Sequence, residues 1–294
     1  MRKIIKALVL LGLIGAVVAW LVTAPATVDA ARFDGLSGDA EKGGLVFAAS
    51  GCNSCHAAPD AKGDDKMILT GGLHFASDFG TFIAPNISPS EAGIGDWTVV
   101  DLANAMTKGT SPAGKHYYPA FPYTSYKHMT DQDISDLYAF IQTLPKSDVA
   151  TQPHDVGFPF NIRRSLGGWK ILFNPTAYTV KVPDDALLQR GRYLVEGPGH
   201  CAECHTPRNA LGGFKRDAWL AGGPNPDGPG IIPSIRPNDL GWSQAEIFEY
   251  LKTGFTPEFD VVGGSMVSVQ ENMALLPDEE LAAIASYLLA LEPK

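Results

Sequence analysis

The stretch "SGCNSCHAAP", residues 50–59, places two cysteines three positions apart with a histidine directly behind the second one. The stretch "GHCAECHTPR", residues 199–208, repeats this pattern 149 positions later. All 4 cysteines of the 294-residue chain lie in these two stretches. Because two matches that use every cysteine are far outside chance, the two stretches mark two copies of one kind of site.

A C-x-x-C-H pattern can hold zinc, act as a redox dithiol, form a disulfide or bind haem covalently. A structural zinc site needs four ligands, and three such closely spaced residues have no evident partner. A redox dithiol does not require the histidine. Covalent haem uses every member, because the thiols bond to the porphyrin vinyl groups and the histidine binds the iron. We therefore predict two haem c groups with iron, held by Cys52, Cys55, His56, Cys201, Cys204 and His205.

The N-terminus carries basic residues ahead of an uncharged stretch that runs from Ala7 to about Ala24. This order predicts export, either through a cleaved signal peptide or with an uncleaved membrane anchor. The length favours the anchor, since a cleaved signal usually has a shorter apolar region of about 7 to 15 residues. We expect residues 1–30 to form this signal or anchor segment.

The formal net charge of the chain is −9. An acidic surface repels phosphate backbones, so nucleic acid is not an expected partner. Such a surface suits docking to basic faces on other proteins, and it is equally typical of a merely soluble surface.

The surroundings of the two cysteine motifs also run parallel. Each motif follows a short glycine-containing helical stretch and precedes a proline and then a tryptophan that opens a helix. The start and stop signals of this helix agree in both copies: Thr98 with Asp101, Ser243 with Glu246, and the glycines Gly109 and Gly254. A closing helix follows in each copy, beginning after Thr130 or Pro277.

These parallels predict one domain over residues 31–145 and a second over residues 184–294. The segment between them, residues 146–183, is too apolar and aromatic for a flexible tether, so we expect it to pack across both domains. Arg163 and Arg164 in this segment could pair with acidic groups of a cofactor or with a partner, or they could be ordinary surface arginines.

Four longer stretches carry a family resemblance: "TFIAPNISP", "GIGDWT", "GTSPAGKHYYPAFPYTSY" and "GGSMVSVQENMALLPDEELAAIASYL". Over about residues 35–294 the chain resembles tandem class I cytochrome c domains. It is more closely similar to the cytochrome c subunits of membrane-bound bacterial alcohol and gluconate dehydrogenases. This resemblance implies an all-α, loop-rich fold of two tandem domains after the N-terminal signal or transmembrane helix.

The ligand on the other side of each iron decides between electron transfer and substrate chemistry, because methionine closes the iron and raises its potential. In the second copy we predict Met266, which lies in the loop before the closing helix where class I cytochromes present their methionine; Met273 is the reserve.

Met266 lies 12 residues after Gly254. Counting the same 12 residues from Gly109 in the first copy reaches Phe121, which cannot bind iron. We predict Met129 as the iron ligand there, with His116, His128 or an open site as alternatives. Met106 is expected in the core.

Other residues are expected to support the cofactor. Pro85 and Pro233 resemble the family proline whose backbone orients the proximal histidine. Trp97, Trp242 and Arg236 could bind haem propionates, or the tryptophans could simply pack at helix starts. The spacing of His74, His154 and His200 does not indicate iron ligation, so these histidines are expected to be structural or exposed to solvent.

The predicted function is a dihaem cytochrome, not an enzyme, that relays single electrons on the periplasmic side of the bacterial inner membrane. The expected donor is a membrane-bound dehydrogenase or quinol-oxidising complex, and the acceptor a soluble cytochrome or terminal oxidase. The main alternative is a dihaem enzyme of the peroxidase or thiosulfate-oxidising type with one open or unusually ligated haem. A structural subunit that bridges respiratory complexes is a third alternative.

Overall fold

A computed structural model describes residues 1–225 and 228–291, so residues 226–227 and 292–294 of the predicted second domain lie outside it. Within the described residues the chain is mostly helical with long loops. The helices are α1 (Arg2–Val22), α2 (Ala40–Ala49), α3 (Cys52–His56), α4 (Val99–Ala103), α5 (Tyr123–Tyr126), α6 (Asp131–Ile141), α7 (Ser165–Phe173), α8 (Ala186–Glu196), α9 (Ala202–His205), α10 (Pro237–Leu240), α11 (Gln244–Thr253), α12 (Met266–Met273) and α13 (Asp278–Leu289).

Two helix pairs give the halves of the chain the same frame: α2 packs against α6, and α8 packs against α13. A glycine lies at each crossing. A Cβ atom on Gly43 would lie 2.0 Å from the carbonyl oxygen of Asp136, and one on Gly191 would lie 2.0 Å from that of Ala283. Because no side chain fits there, the paired helices approach backbone to backbone.

The predicted helix signals are present. Thr98 and Asp101 form a reciprocal capping box at α4, and Ser243 and Glu246 form another at α11. The Thr130 hydroxyl accepts a hydrogen bond from the Asp133 amide at the start of α6. These bonds satisfy backbone N–H groups that the first helical turn leaves without partners.

One helix differs from the prediction. The sequence predicts a continuous helix up to Gly109, but α4 ends at Ala103 and a wider π-helical turn, Asn104–Lys108, follows. The Thr107 hydroxyl donates to the Ala103 carbonyl at 2.8 Å, which competes with the regular backbone ladder. The Asn104 side chain accepts from the Val28 amide at 2.7 Å and so fixes the segment that follows α1.

Each half has its own apolar cluster, and the two clusters meet. Met106 is buried in the first cluster, which confirms its prediction as a core residue. The second cluster includes Ala48 and Ala49 of α2, although α2 belongs to the first half. The two halves therefore share packed apolar surface.

Two short antiparallel ribbons lie among the loops. The first pairs β1 (His74–Ser77) with β2 (Gly80–Ile83), and the second pairs β3 (Gly223–Pro224) with β4 (Ile231–Ile232). Each ribbon lies between a cysteine motif and the proline predicted to support its histidine. The ribbon returns the chain towards the motif in both halves.

The N-terminal helix α1 has no buried residue. Among the described residues it is the one helix long and apolar enough to cross a membrane, and a signal sequence would also satisfy this test.

Candidate functional site

The histidine of each motif ends a short helix and is held by a backbone carbonyl. His56 Nδ1 donates to the Pro85 oxygen at 2.9 Å, and His205 Nδ1 donates to the Pro233 oxygen at 2.8 Å. A carbonyl oxygen only accepts, so the proton lies on Nδ1 and Nε2 keeps its lone pair. The contact predicted for the two prolines is thus present in both halves.

Burial sets the protonation of these groups. It lowers the pKa of His56 and His205, which keeps both rings neutral, although the bond to the proline carbonyl acts in the opposite direction. Burial also raises the pKa of the Cys52 and Cys201 thiols to about 12. Redox-active cysteines have a lowered pKa, so these positions do not suit dithiol exchange.

The structure does not favour zinc either. Across residues 1–225 and 228–291, no group of three or more His, Cys, Asp and Glu side chains is arranged to hold a metal ion. A neutral imidazole with a free Nε2 lone pair, next to two cysteines, fits a covalently bound haem.

Two glycines that the sequence reasoning missed complete the proximal loops. The amides of Gly71 and Gly222 donate to the carbonyls of His56 and His205, each at 2.7 Å. Both glycines have positive φ, and an added Cβ atom would lie within 2.7 Å of the following proline's backbone. The doublets "GG" at residues 71–72 and 222–223 were the available signal.

Met129 lies in the apolar cluster of the first half. Its exposed fraction is 4%, and Cys52, Phe121 and Tyr126 belong to or pack against the same cluster. The surroundings are therefore apolar and closed to water.

The two histidine alternatives are engaged elsewhere. His116 Nε2 donates to the Thr23 carbonyl at 2.9 Å, and Nδ1 lies 3.0 Å from Lys170 Nζ, so both ring nitrogens have partners. The His128 ring stacks on Tyr178 with 4.0 Å between the ring centroids.

Met266 has a different setting. It is the first residue of α12, where the sequence predicted a loop, and it is half-buried against the cluster that also contacts Cys201. The stretch Met266–Met273 has neither glycine nor proline, which allows it to form two helical turns. Met273, the reserve candidate, is buried in the same cluster.

Three predicted propionate ligands make protein contacts. The Arg236 Nε donates to the Trp219 carbonyl at 2.7 Å. Trp242 packs against the Tyr250 ring, and the Trp97 carbonyl accepts from the Tyr138 hydroxyl at 2.8 Å. The expected propionate contacts stay predictions.

Each cysteine motif also touches the other half of the chain. Ser54, inside the first motif, accepts from Asn272 Nδ2 at 2.9 Å. Glu203, inside the second motif, accepts from the Thr124 hydroxyl at 2.7 Å. We call this pair of contacts the reciprocal clasp.

An aromatic contact lies beside the clasp. The Tyr126 hydroxyl donates to the carbonyl of Ser50 at 3.0 Å, and its ring meets the His200 ring edge-on at a centroid distance of 5.4 Å. His200 directly precedes Cys201. Tyr126 therefore lies between the two motifs. The sequence did not indicate that His200 would take part in this contact.

Comparison with known proteins agrees with this geometry. Residues 40–145 match the family model described as cytochrome c, and residues 186–288 match the model described as cytochrome c oxidase, cbb3-type, subunit III. A relative from Cereibacter sphaeroides, "Diheme cytochrome c-type", is 53% identical over 98% of this chain and 97% of its own length.

Two further relatives are subunits of larger enzymes. The alcohol dehydrogenase (quinone) cytochrome c subunit of Gluconobacter oxydans is 37% identical over 85% of this chain. The fructose dehydrogenase cytochrome subunit of Gluconobacter japonicus is 36% identical over 86% of this chain. The chain spans only 54% and 52% of the length of these two relatives.

The family matches and the dihaem relative agree with two halves that each fix one histidine beside two cysteines. They confirm the predicted resemblance, the two haem groups and the prediction of an electron-transfer cytochrome. The chain belongs to the cytochrome c family, with two cytochrome c domains that carry two covalently bound haem c groups for electron transfer.

Proposed function

We propose that this dihaem cytochrome relays single electrons between its two haems while both stay in one packed unit. The observation that carries this proposal is the reciprocal clasp. The Ser54 hydroxyl in the first motif and the Glu203 carboxylate in the second are each hydrogen-bonded to the opposite half. A relay needs short, fixed separations, and contacts made by the attachment motifs themselves hold the two sites together.

The proposed attachment residues are Cys52, Cys55, Cys201 and Cys204. His56 and His205 would bind the two irons through Nε2, the nitrogen that the proline carbonyls leave with a lone pair. When bound, each haem supplies a one-electron centre, and the protein tunes it through axial ligands and burial.

Met129 and Met266 are the proposed ligands on the opposite sides. Burial of Met129 in the apolar cluster that Cys52 packs against supports the first assignment, and so does the engagement of both nitrogens of His116. The contact between Met266 and the cluster around Cys201 supports the second. Two closed irons favour electron transfer over the peroxidase-type alternative.

We place the protein on the periplasmic side of the bacterial inner membrane, with α1 as its anchor. The dehydrogenase subunits among its relatives support a membrane-bound dehydrogenase or quinol-oxidising complex as donor. A soluble cytochrome or terminal oxidase would be the acceptor. The same proposal includes an all-α fold of two class I cytochrome c domains. Their boundaries are residues 31–145 and 184–294.

Haem counting and electron input test this function. The full chain, produced in a host that matures c-type cytochromes, should show two haems per polypeptide in a pyridine assay. The double variant Cys52→Ala/Cys55→Ala should show one. In membranes, a quinol should reduce both haems of the wild-type chain. Electrons should then reach the acceptor faster through the wild-type chain than through the variant with one haem. Fewer than two haems, or no reduction by quinol or by the dehydrogenase substrates ethanol, gluconate and fructose, would overturn the proposal.

A further inference from the structure

The end of α1 is attached to the linker between the two domains. The Arg164 guanidinium lies 4.1 Å from the centroid of the Trp20 ring and also donates to the Trp20 carbonyl. The Thr23 carbonyl accepts from His116, and a Cβ atom on Gly167 would lie 2.2 Å from that same oxygen. The linker thus packs where α1 ends.

One face of the linker helix α7 continues this contact. Arg164, Gly167 and Ile171 are spaced by three and four residues, so they lie on the same side of the helix. The first two contact the end of α1, whereas Ile171 is 61% exposed and its neighbour Leu172 is 68% exposed. The face that meets α1 therefore extends as uncovered apolar surface.

The segment before α7 adds to this surface. Phe158 is 81% exposed, and Phe160 and Ile162 are exposed as well. Single exposed apolar residues are common, but five of them within one short segment beside an apolar helix mark a surface that contacts something apolar.

The charges of the linker differ from those of the rest of the chain. The chain has a net charge of −9, yet no acidic residue lies between Asp155 and Asp184, a stretch that contains four basic residues. Lys170 points inward and donates to the carbonyls of Lys108 and Gly109. Arginines beside aromatic and aliphatic side chains are typical of protein segments at the surface of anionic membranes.

We propose that the linker from Phe158 to Phe173 lies in the lipid–water interface next to the point where α1 leaves the bilayer. Ile171, Leu172 and Phe158 would enter the boundary between headgroups and acyl chains. This inference rests on the proposed anchor role of α1. Its consequence is that the two haem domains are held against the membrane at two points and cannot swing on a single tether.

The test uses the full holoprotein in vesicles of phosphatidylethanolamine and phosphatidylglycerol. In a Leu172→Cys variant the added thiol is the one to be spin-labelled, because the native cysteines are bonded to haem. The matched control is Leu275→Cys, since Leu275 precedes α13 in the second domain and is 66% exposed. Haem spectra identical to the wild type show that both variants are folded.

Collision of the label with two relaxants gives the readout. Oxygen concentrates in lipid, whereas a charged nickel chelate stays in water. We expect the label at position 172 to collide at least twice as often with oxygen as with the chelate, and the label at position 275 to show the reverse. Equal behaviour at both positions in vesicle-bound protein would overturn the interfacial linker and leave the anchor intact.

Two other outcomes would also count against the inference. Protein that fails to float with the vesicles would overturn the anchor proposal itself. A label at position 172 that is shielded from both relaxants would show that a second copy of the chain, and not lipid, covers the face.

Discussion

The two halves of the molecule are built alike around the histidine of the cysteine motif and differently around the methionine proposed as the second iron ligand. In both, a proline carbonyl holds the histidine Nδ1 at 2.8–2.9 Å, and a glycine amide donates to the histidine carbonyl at 2.7 Å. The proposed methionine ligands differ: Met129 is 4% exposed, whereas Met266 is half-buried and begins a helix.

This difference separates what the cofactor demands from what each domain can vary. Both halves keep the imidazole neutral and its Nε2 available in the same way, through a proline carbonyl that accepts from Nδ1. The proposed methionine needs only to present a sulfur atom, so its position in the chain and its burial can differ between the halves. In the first half, the segment between Gly109 and the closing helix α6 packs on the linker through His116 and Lys170.

The largest predicted effect concerns the glycine at the helix crossing of each half, α2 with α6 and α8 with α13. Gly43→Val and Gly191→Val should each prevent their helix pair from closing, because the added atoms would overlap a main-chain carbonyl. We expect a loss of at least about 3 kcal/mol of stability for either variant. The yield of holoprotein should fall strongly in both cases, as measured by haem staining and thermal unfolding.

Gly168→Ala is the matched control for these glycine variants. It adds one carbon, the Cβ atom that clashes at Gly43 and Gly191, to a helical glycine where nothing lies within 4 Å of that atom. This variant should unfold at the wild-type temperature or slightly above it, because alanine favours helix by about 1 kcal/mol over glycine. Normal holoprotein from Gly43→Val would contradict the close backbone-to-backbone crossing of α2 and α6.

The second prediction concerns the proposed iron ligands. Met129→Leu and Met266→Leu should each remove half of the methionine-to-iron charge-transfer absorption of the oxidised protein, because leucine offers no sulfur. The potential of the affected haem should fall, since methionine ligation raises it. Spectroelectrochemistry measures both changes.

Met106→Leu and Met273→Leu serve as controls, because both residues are buried and nearly isosteric replacement costs less than about 1.5 kcal/mol. An unchanged band in Met266→Leu together with a lost band in Met273→Leu would move the second ligand to the reserve position. An unchanged band in Met129→Leu would reopen the first site.

Much of this architecture could be predicted from local patterns. The motifs, the capping box at Thr98 and the supporting proline Pro85 are each encoded within a few neighbouring residues, so the sequence reveals them directly. The clasp between Ser54 and Asn272 could not be predicted, because it joins residues 218 positions apart. The contact of Arg164 with Trp20 was missed for the same reason, since both arginines of the linker were expected to face a cofactor, a partner or solvent.

The third prediction uses the difference in burial to order the two potentials. The oxidised iron carries one more positive charge than the reduced iron, and a less polar setting disfavours that charge. The first haem, to which we assign the buried Met129, should therefore have the more positive potential. A redox titration should resolve two one-electron steps, and Met129→Leu should shift the upper step. A shift of the lower step would reverse the assignment.

The smallest predicted effect concerns the clasp between the halves. Thr124→Val keeps the shape of the side chain and removes the hydroxyl that donates to Glu203 at 2.7 Å, while Arg208 still pairs with that carboxylate. Hydrogen bonds to a charged group contribute about 1.5–3 kcal/mol. Because the carboxylate keeps Arg208 and the more distant Ser125 hydroxyl at 3.5 Å as partners, we expect a loss near the lower limit. Thr143→Val is the control, since its hydroxyl donates to Phe140 within the first half and is exposed. If the clasp joins the halves, denaturant unfolding followed at the two haems should coincide in the wild type and separate in Thr124→Val but not in Thr143→Val. Coincident unfolding in all three proteins would mean that the contacts left intact, among them the Ser54–Asn272 bond and the apolar packing around Ala48 and Ala49, couple the two domains without the Thr124 hydroxyl.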